Sequence, residues 1–135
     1  MEKNKSKKIL ILGDIFLDIF ESTEILKMSP ERPVPVLKPL HSTNLLGGAA
    51  NVANNIKSIG GNPFLISKLS NDLTSEKIKQ LLNKNKIEFK IILNKNYSSP
   101  IKKRIVQNDH QFCRVDDETY AKLKKKGWNK NYSIY

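Results

Sequence analysis

The chain has 135 residues, enough for one compact domain with a modest core or for part of a larger one. Hydrophobic residues make up 39% and charged residues 27%, and 24 Lys and Arg against 13 Asp and Glu give a formal net charge of +11. Only Arg32, Arg104 and Arg114 are arginines, so the excess is scattered lysine without interleaved aromatic residues, which argues for compositional bias and against a nucleic-acid groove.

Cys113 stands alone, which excludes an internal disulfide, and no paired Cys or His set exists for zinc. The basic stretch 1–7 precedes an apolar run at 9–12 that is too short for the core of a signal peptide. No stretch approaches membrane-spanning length. A cytoplasmic, reduced protein with no membrane partner is expected.

In chain order, the run Ile9-Leu10-Ile11-Leu12 ending at Gly13-Asp14 predicts a strand buried on both faces, as in a parallel sheet. Residues 15–27 mix apolar and acidic residues and fit no single period. Pro30, Pro33 and Pro35 forbid a helix over 29–37 and predict an edge strand or a loop leading into one. After Gly47-Gly48, the residues Ala49, Val52, Ala53, Ile56 and Ile59 recur at helical spacing and stop at Gly60-Gly61, which predicts an amphipathic helix. Phe64 to Ile66 reads as a short strand, and Asp72 as the N-cap of a second helix through Ile78, Leu81 and Leu82.

Ile87, Phe89, Ile91 and Leu93 alternate as a half-buried strand does. Two further strands, 101–107 and 111–116, flank a hairpin turn at Asn108-Asp109-His110. The stretch 120–135 carries five lysines and no acidic residue, and is expected to be a solvated, disordered tail. Strands alternating with helices give an α/β class.

Three places carry candidate chemistry. Gly47-Gly48 at a helix start lets a ligand approach free backbone N–H groups, or is simply a tight turn; the spacing fits neither a P-loop nor a dinucleotide fingerprint. Asp14, beyond a predicted parallel strand, lies where α/β proteins bind ligands and can accept hydrogen bonds from sugar hydroxyls, or can merely shape a turn. Asp18 can do the same or cap a helix. Alternation puts Lys102 and Arg104 on one strand face, near Arg114, where they suit a phosphate or form an ordinary solvated face.

Gly13-Asp14-Ile15-Phe16-Leu17-Asp18, then Met28-Ser29-Pro30-Glu31-Arg32-Pro33-Val34-Pro35-Val36, then Gly47-Gly48-Ala49-Ala50-Asn51-Val52-Ala53 follow in unbroken order. Lys102-Lys103-Arg104 and Arg114-Val115-Asp116-Asp117-Glu118 complete the set. Together they resemble the opening of a ribokinase-like (PfkB) carbohydrate kinase over residues 8–119, in the version seen in D-glycero-β-D-manno-heptose 7-phosphate kinases. The resemblance implies the N-terminal part of a ribokinase-like fold, a mostly parallel sheet with helices plus a small β lid that often mediates dimers. It implies transfer of the γ-phosphoryl group of ATP, with Mg2+, to the anomeric hydroxyl of a heptose 7-phosphate. In that picture Asp14, Gly47, Gly48 and Asn51 hold sugar hydroxyls, with Asp18 a further candidate, while Lys102, Arg104 and Arg114 are expected, chiefly on grounds of charge, to face the substrate phosphate.

Two departures qualify the picture. Ser67 and Ser70 stand where the family often has glycines. The family's catalytic aspartate lies in a Gly-x-Gly-Asp segment, and none occurs in these residues. The expectation is therefore a sugar-binding half with no catalytic residue of its own, truncated before the ATP half, which a second chain would supply. The alternatives are a non-catalytic sugar-phosphate-binding or dimerisation module, or a gene remnant.

Overall fold

The computed structural model describes residues 7–108 and 110–118. The expectations for 120–135, and for most of the basic stretch 1–7, lie outside the described residues. In chain order the elements are β1 (Lys8–Leu12), β2 (Ile15–Met28), β3 (Pro35–Gly48), α1 (Ala49–Ser58), β4 (Asn62–Leu69), α2 (Leu73–Lys84), β5 (Glu88–Leu93), β6 (Ile101–Gln107) and β7 (His110–Asp117). They form two sheets, an all-parallel body in the order β1-β4-β5 and a mixed lid in the order β3-β2-β6-β7. This is the expected α/β architecture, and no helix among the described residues is long and apolar enough to cross a membrane.

The region 15–27 that fits no single period is the long strand β2. Its first residues, Ile15 and Leu17, are buried in the body, and its remainder runs out into the lid. It pairs antiparallel with β3 along nearly its whole length and parallel with β6. The proline-rich stretch makes the turn between β2 and β3, closed by the Ser29 N–H donating to the Val34 carbonyl at 2.9 Å. Pro35 and Pro39 lie on β3, an outer strand of the lid where a missing N–H costs no ladder bond.

Helix α1 starts after Gly48, whose φ of +63° suits a residue without Cβ, and ends near Gly60 at φ +85°. Its buried face is Ala50 and Ala53, with Ile56 half-buried; Val52 and Ile59, read from the spacing as core, are exposed. Two alanines on the inner face let the helix lie close against the sheet, which turns the larger residues outward. Helix α2 is capped as expected, the Asp72 carboxylate accepting the Ser75 N–H at 2.7 Å, and it buries Ile78 and Leu82.

One apolar cluster joins body and lid: Ile11, Leu65, Leu69 and Ile87 from the body sheet and its approach, Ala50, Ala53, Ile78 and Leu82 from the helices, and Ile15, Leu17 and Leu46 from the lid roots. Each fully buried Leu or Ile contributes on the order of 1.5–3 kcal/mol, so this cluster is the main stabilising feature. The expectation for β1 needs correction. Only Ile11 is buried, while Leu10 and Leu12 are 64% and 76% exposed. Both helices pack on the Ile11 side, so among the described residues one sheet face is covered and the other is bare.

Candidate functional site

The Gly13-Asp14 and Gly47-Gly48 motifs, far apart in sequence, meet at the carboxyl end of β1. The Ala49 N–H donates to the Asp14 carbonyl at 3.0 Å, and a Cβ on Gly13 would lie 3.0 Å from that of Ala49. A Cβ on Gly48 would collide with the Asp14 carbonyl oxygen, and one on Gly47 would enter the Phe16 ring. The glycines are thus needed for close packing of the chain on itself, the tight-turn role, and they present the first turn of α1 beside Asp14. Ser67 has a use of its own: its hydroxyl donates to the Gly13 carbonyl at 2.6 Å, tying β4 to the end of β1.

The Asp14 side chain is 77% exposed and lies 3.5 Å from Lys68 Nζ. Asn51, in the first turn of α1, is also exposed. Lys68 in turn sits 5.2 Å from the centre of the Tyr97 ring. Burial first, then the negative charges of Asp14, Glu118 and Asp72, hold the Tyr97 hydroxyl above its ordinary pKa. Sequence reasoning did not single out Lys68 or Tyr97. The rule that pointed to Asp14 applies to both, since Lys68 is near the carboxyl end of β4 and Tyr97 follows β5.

The loop carrying Tyr97 is fixed to α2. Asp72 accepts the Ser99 N–H at 2.9 Å as well as that of Ser75, and the Ser99 hydroxyl accepts the Ser70 N–H at 3.1 Å. Burial pushes the Asp72 carboxyl upward, but these hydrogen bonds from Ser99 and Ser75, with the charge of Lys79, outweigh it and hold the pKa below the ordinary value.

On the lid, the register Asp18↔Lys102 and Phe20↔Arg104 puts the expected residues on one face. Arg104 grips Asp18 with two bonds, Nε–Oδ1 at 2.9 Å and Nη2–Oδ2 at 3.4 Å, and lies over the Phe20 ring. Asp18 is therefore a strand residue in an ion pair and caps no helix. Lys102 pairs with Glu118 at 2.6 Å and Asp116 at 3.4 Å, over the Phe16 ring. The hydrogen bond to Glu118, with both carboxylate charges, raises its pKa against the effect of burial. Arg114 Nε lies 2.8 Å from Asp116 Oδ1. Burial nudges the Asp116 carboxyl up, but its bonds to Arg114 and then Lys102 bring it below the ordinary value.

Each of the three cations expected to face a phosphate thus holds a carboxylate. An anionic ligand there competes with Asp18, Asp116 and Glu118 for these cations, whereas the exposed Asp14 and Asn51 can meet neutral hydroxyls. Among the described residues no group of three or more His, Cys, Asp or Glu side chains can hold a metal ion. What Asp14 and Asn51 offer is exposed hydrogen-bonding capacity for a hydroxyl-bearing ligand.

The sequence profile described as pfkB family carbohydrate kinase matches residues 6–133. The bifunctional protein HldE of Helicobacter pylori is 38% identical over 125 residues, covering 89% of this chain and 27% of the relative. HldE of Hyphomonas neptunium is 33% identical over 122 residues, covering 90% of this chain and 25% of the relative. Among solved structures, a carbohydrate kinase from Agrobacterium tumefaciens superposes with a TM-score of 0.63 at 20% identity, over 82% of this chain and 35% of that one. Ribokinase from Giardia lamblia gives 0.60 at 13% identity, over 84% and 36%. These likenesses show a ribokinase-like fold. The chain spans about a quarter of the length of its curated relatives and about a third of the solved kinases.

Proposed function

Because the chain belongs to the pfkB family of carbohydrate kinases, we propose that it is the sugar-binding portion of a kinase that phosphorylates D-glycero-β-D-manno-heptose 7-phosphate at its anomeric hydroxyl. The product would supply an ADP-heptose precursor of the lipopolysaccharide core, made in the cytoplasm. The observation that carries this reading is the clamp between the Asp14 carbonyl and the Ala49 N–H, which seats an exposed carboxylate beside the exposed Asn51 at the carboxyl end of a parallel strand. The heptose reading rests on the Ser-Pro-Glu-Arg-Pro-Val-Pro-Val string at 29–36 together with Lys102-Lys103-Arg104 and Arg114-Val115-Asp116.

In this reading Asp14 accepts hydrogen bonds from two sugar hydroxyls, Asn51 offers a donor and an acceptor, and the backbone at Gly47-Gly48 allows close approach. The 7-phosphate takes Arg104 or Lys102 in exchange for a carboxylate partner, with Arg114 close on the neighbouring strand. PfkB kinases generally draw on ATP and Mg2+. With no Gly-x-Gly-Asp segment in these residues, the chain's own part is to bind and orient the acceptor. The groups that handle ATP lie outside these 135 residues.

The test is titration calorimetry of the 135-residue chain with heptose 7-phosphate, unphosphorylated heptose and fructose 6-phosphate. Binding of heptose 7-phosphate should fall at least tenfold in Asp14→Ala and in Asn51→Ala, with no turnover of ATP. Absence of binding to any sugar phosphate by the folded chain, or equal binding by both variants, overturns the reading.

A further inference from the structure

The loop 94–100 crosses from the body to the lid and is tied at both ends. The Asn94 N–H donates to the Leu69 carbonyl at 3.0 Å, at the end of β4, and the Pro100 carbonyl accepts the Leu17 N–H at 3.0 Å, at the root of the lid. Ser99, itself buried, is fixed to Asp72 and Ser70. Tyr97 stands in the middle of this loop, half-buried, with Lys68 Nζ across its ring. The ring is thus held, yet its hydroxyl makes no hydrogen bond among the described residues. A part-buried tyrosine ordinarily gives its O–H a partner, so this one has a donor to spare.

The surroundings of the hydroxyl select the ligand group that suits it. Burial first, then Asp14 from the body, Glu118 from the end of the lid and Asp72 from the α2 cap, keep it protonated. Lys68 joins it to Asp14, lying 3.5 Å from Asp14 Oδ1. An ionised carboxylate only accepts hydrogen bonds, while a phenol can donate one. A sugar hydroxyl has a proton to give and lone pairs to fill, so one group of each kind complements it better than Asp14 alone. An anion is a poorer match, because three carboxylates already act on this hydroxyl.

We propose that Tyr97 is an acceptor-binding residue: its O–H donates to a sugar hydroxyl that in turn donates to Asp14, and Lys68, in contact with both the ring and the carboxylate, holds the two groups at a fixed spacing. The proposal rests on the sugar-binding reading above and deepens it, assigning Tyr97 to the hydroxyl end of the ligand and not to its phosphate. The loop and the ring are fixed before the ligand arrives, so little ordering is left to oppose binding. Lys68 acts through Asp14 and Tyr97 and is a positioning residue.

Titration calorimetry of the full 135-residue chain should compare heptose 7-phosphate with unphosphorylated heptose. Tyr97→Phe keeps the ring and loses the O–H, and should weaken both ligands by the same factor, about fivefold. Lys68→Met should weaken both at least as much, and Lys68→Arg should restore wild-type affinity to within about twofold. Arg104→Gln should weaken only the phosphorylated sugar. The unfolding midpoint of Tyr97→Phe should stay within about 1 °C of wild type, which separates a ligand contact from a structural one. Wild-type affinity in Tyr97→Phe, a loss confined to the phosphorylated sugar, or a loss matched by a fall in the midpoint overturns the proposal. Lys68→Arg binding no better than Lys68→Met overturns the positioning role. If Asp14→Ala abolishes binding and Tyr97→Phe leaves it unchanged, the sugar-binding reading stands and the role of Tyr97 falls. A folded wild-type chain that binds no sugar phosphate overturns both.

Discussion

Substituting Gly48 tests the clamp that builds the site. Gly48 holds φ +63° and ψ −135°, a conformation that residues with a Cβ rarely adopt. Keeping alanine there costs about 1–3 kcal/mol. Its Cβ would also meet the Asp14 carbonyl oxygen, a backbone atom that cannot swing aside as a side-chain tip does. Moving that carbonyl weakens the Ala49 N–H bond, for about another 0.5–1.5 kcal/mol. The stiffer unfolded chain of the alanine variant offsets about 0.4–1 kcal/mol. The net expectation for Gly48→Ala is a loss of about 2 kcal/mol.

Gly60→Ala is the internal comparison. It too has a positive φ, +85°, but a Cβ there meets nothing within 4 Å, so a backbone strain of about 1–2 kcal/mol, less the same unfolded-chain offset, leaves a net cost of about 1 kcal/mol. At about 4 °C per kcal/mol, thermal unfolding followed by circular dichroism should show a drop of about 8 °C for Gly48→Ala and about 4 °C for Gly60→Ala. Sugar-phosphate affinity should fall only in the first. A Gly48→Ala midpoint within about 1 °C of wild type, or no lower than that of Gly60→Ala, refutes the reasoning.

Asp72→Ala should cost about 1–2 kcal/mol at pH 7 through the lost cap. The folded-state pKa of Asp72 lies below 3.8, so its contribution is fully present above that value and is lost as pH falls through the lower one. Urea midpoints of wild type and variant should therefore converge in acid; a gap that stays constant from pH 7 to pH 2 contradicts this account. For the lid, a double-mutant cycle of Asp18→Asn and Arg104→Gln should return a coupling of about 1–2 kcal/mol, above the usual surface pair because the two bonds are parallel and half-buried. A coupling under about 0.3 kcal/mol means that the pair is no more than an exposed contact.

The elements whose residues face one environment were legible in the sequence. Helix α2 could be read from its Asp72 cap and its Ile78–Leu82 spacing, and β6 from end to end, because local chemistry decides both. Strand β2 was not legible, since Ile15 and Leu17 belong to the body core while Asp18 and Glu21 serve the lid, so no single period runs through it. The stretch 38–46 of β3 has no clear pattern for a related reason: an outer strand whose residues are mostly exposed is held by main-chain bonds that composition does not encode. At the site, Asp14 and the glycines could be named from sequence, and the partners of the cations could not. The pairing of Arg104 with Asp18 depends on the parallel β2–β6 register, a tertiary fact.

That pairing changes what the net charge of +11 means. Around the site the charges balance: Asp14 with Lys68, Asp18 with Arg104, and Asp116 and Glu118 with Lys102 and Arg114. The surplus lysines lie elsewhere, among them Lys57 on α1 and Lys77, Lys79 and Lys84 on α2. A balanced site exerts little long-range pull on an anion, so selection there depends on directional hydrogen bonds formed at contact. In the proposed reading, a phosphate on the ligand competes with the carboxylates that Arg104 and Lys102 already hold and gains less than it would from free cations. In the same reading, hydroxyls at Asp14 and Asn51 compete with water and, at one Asp14 oxygen, with Lys68. The prediction that separates the two terms is their salt dependence: added salt should weaken binding of heptose 7-phosphate by only a few-fold between 50 and 500 mM, far less than a cluster of unpaired lysines would give.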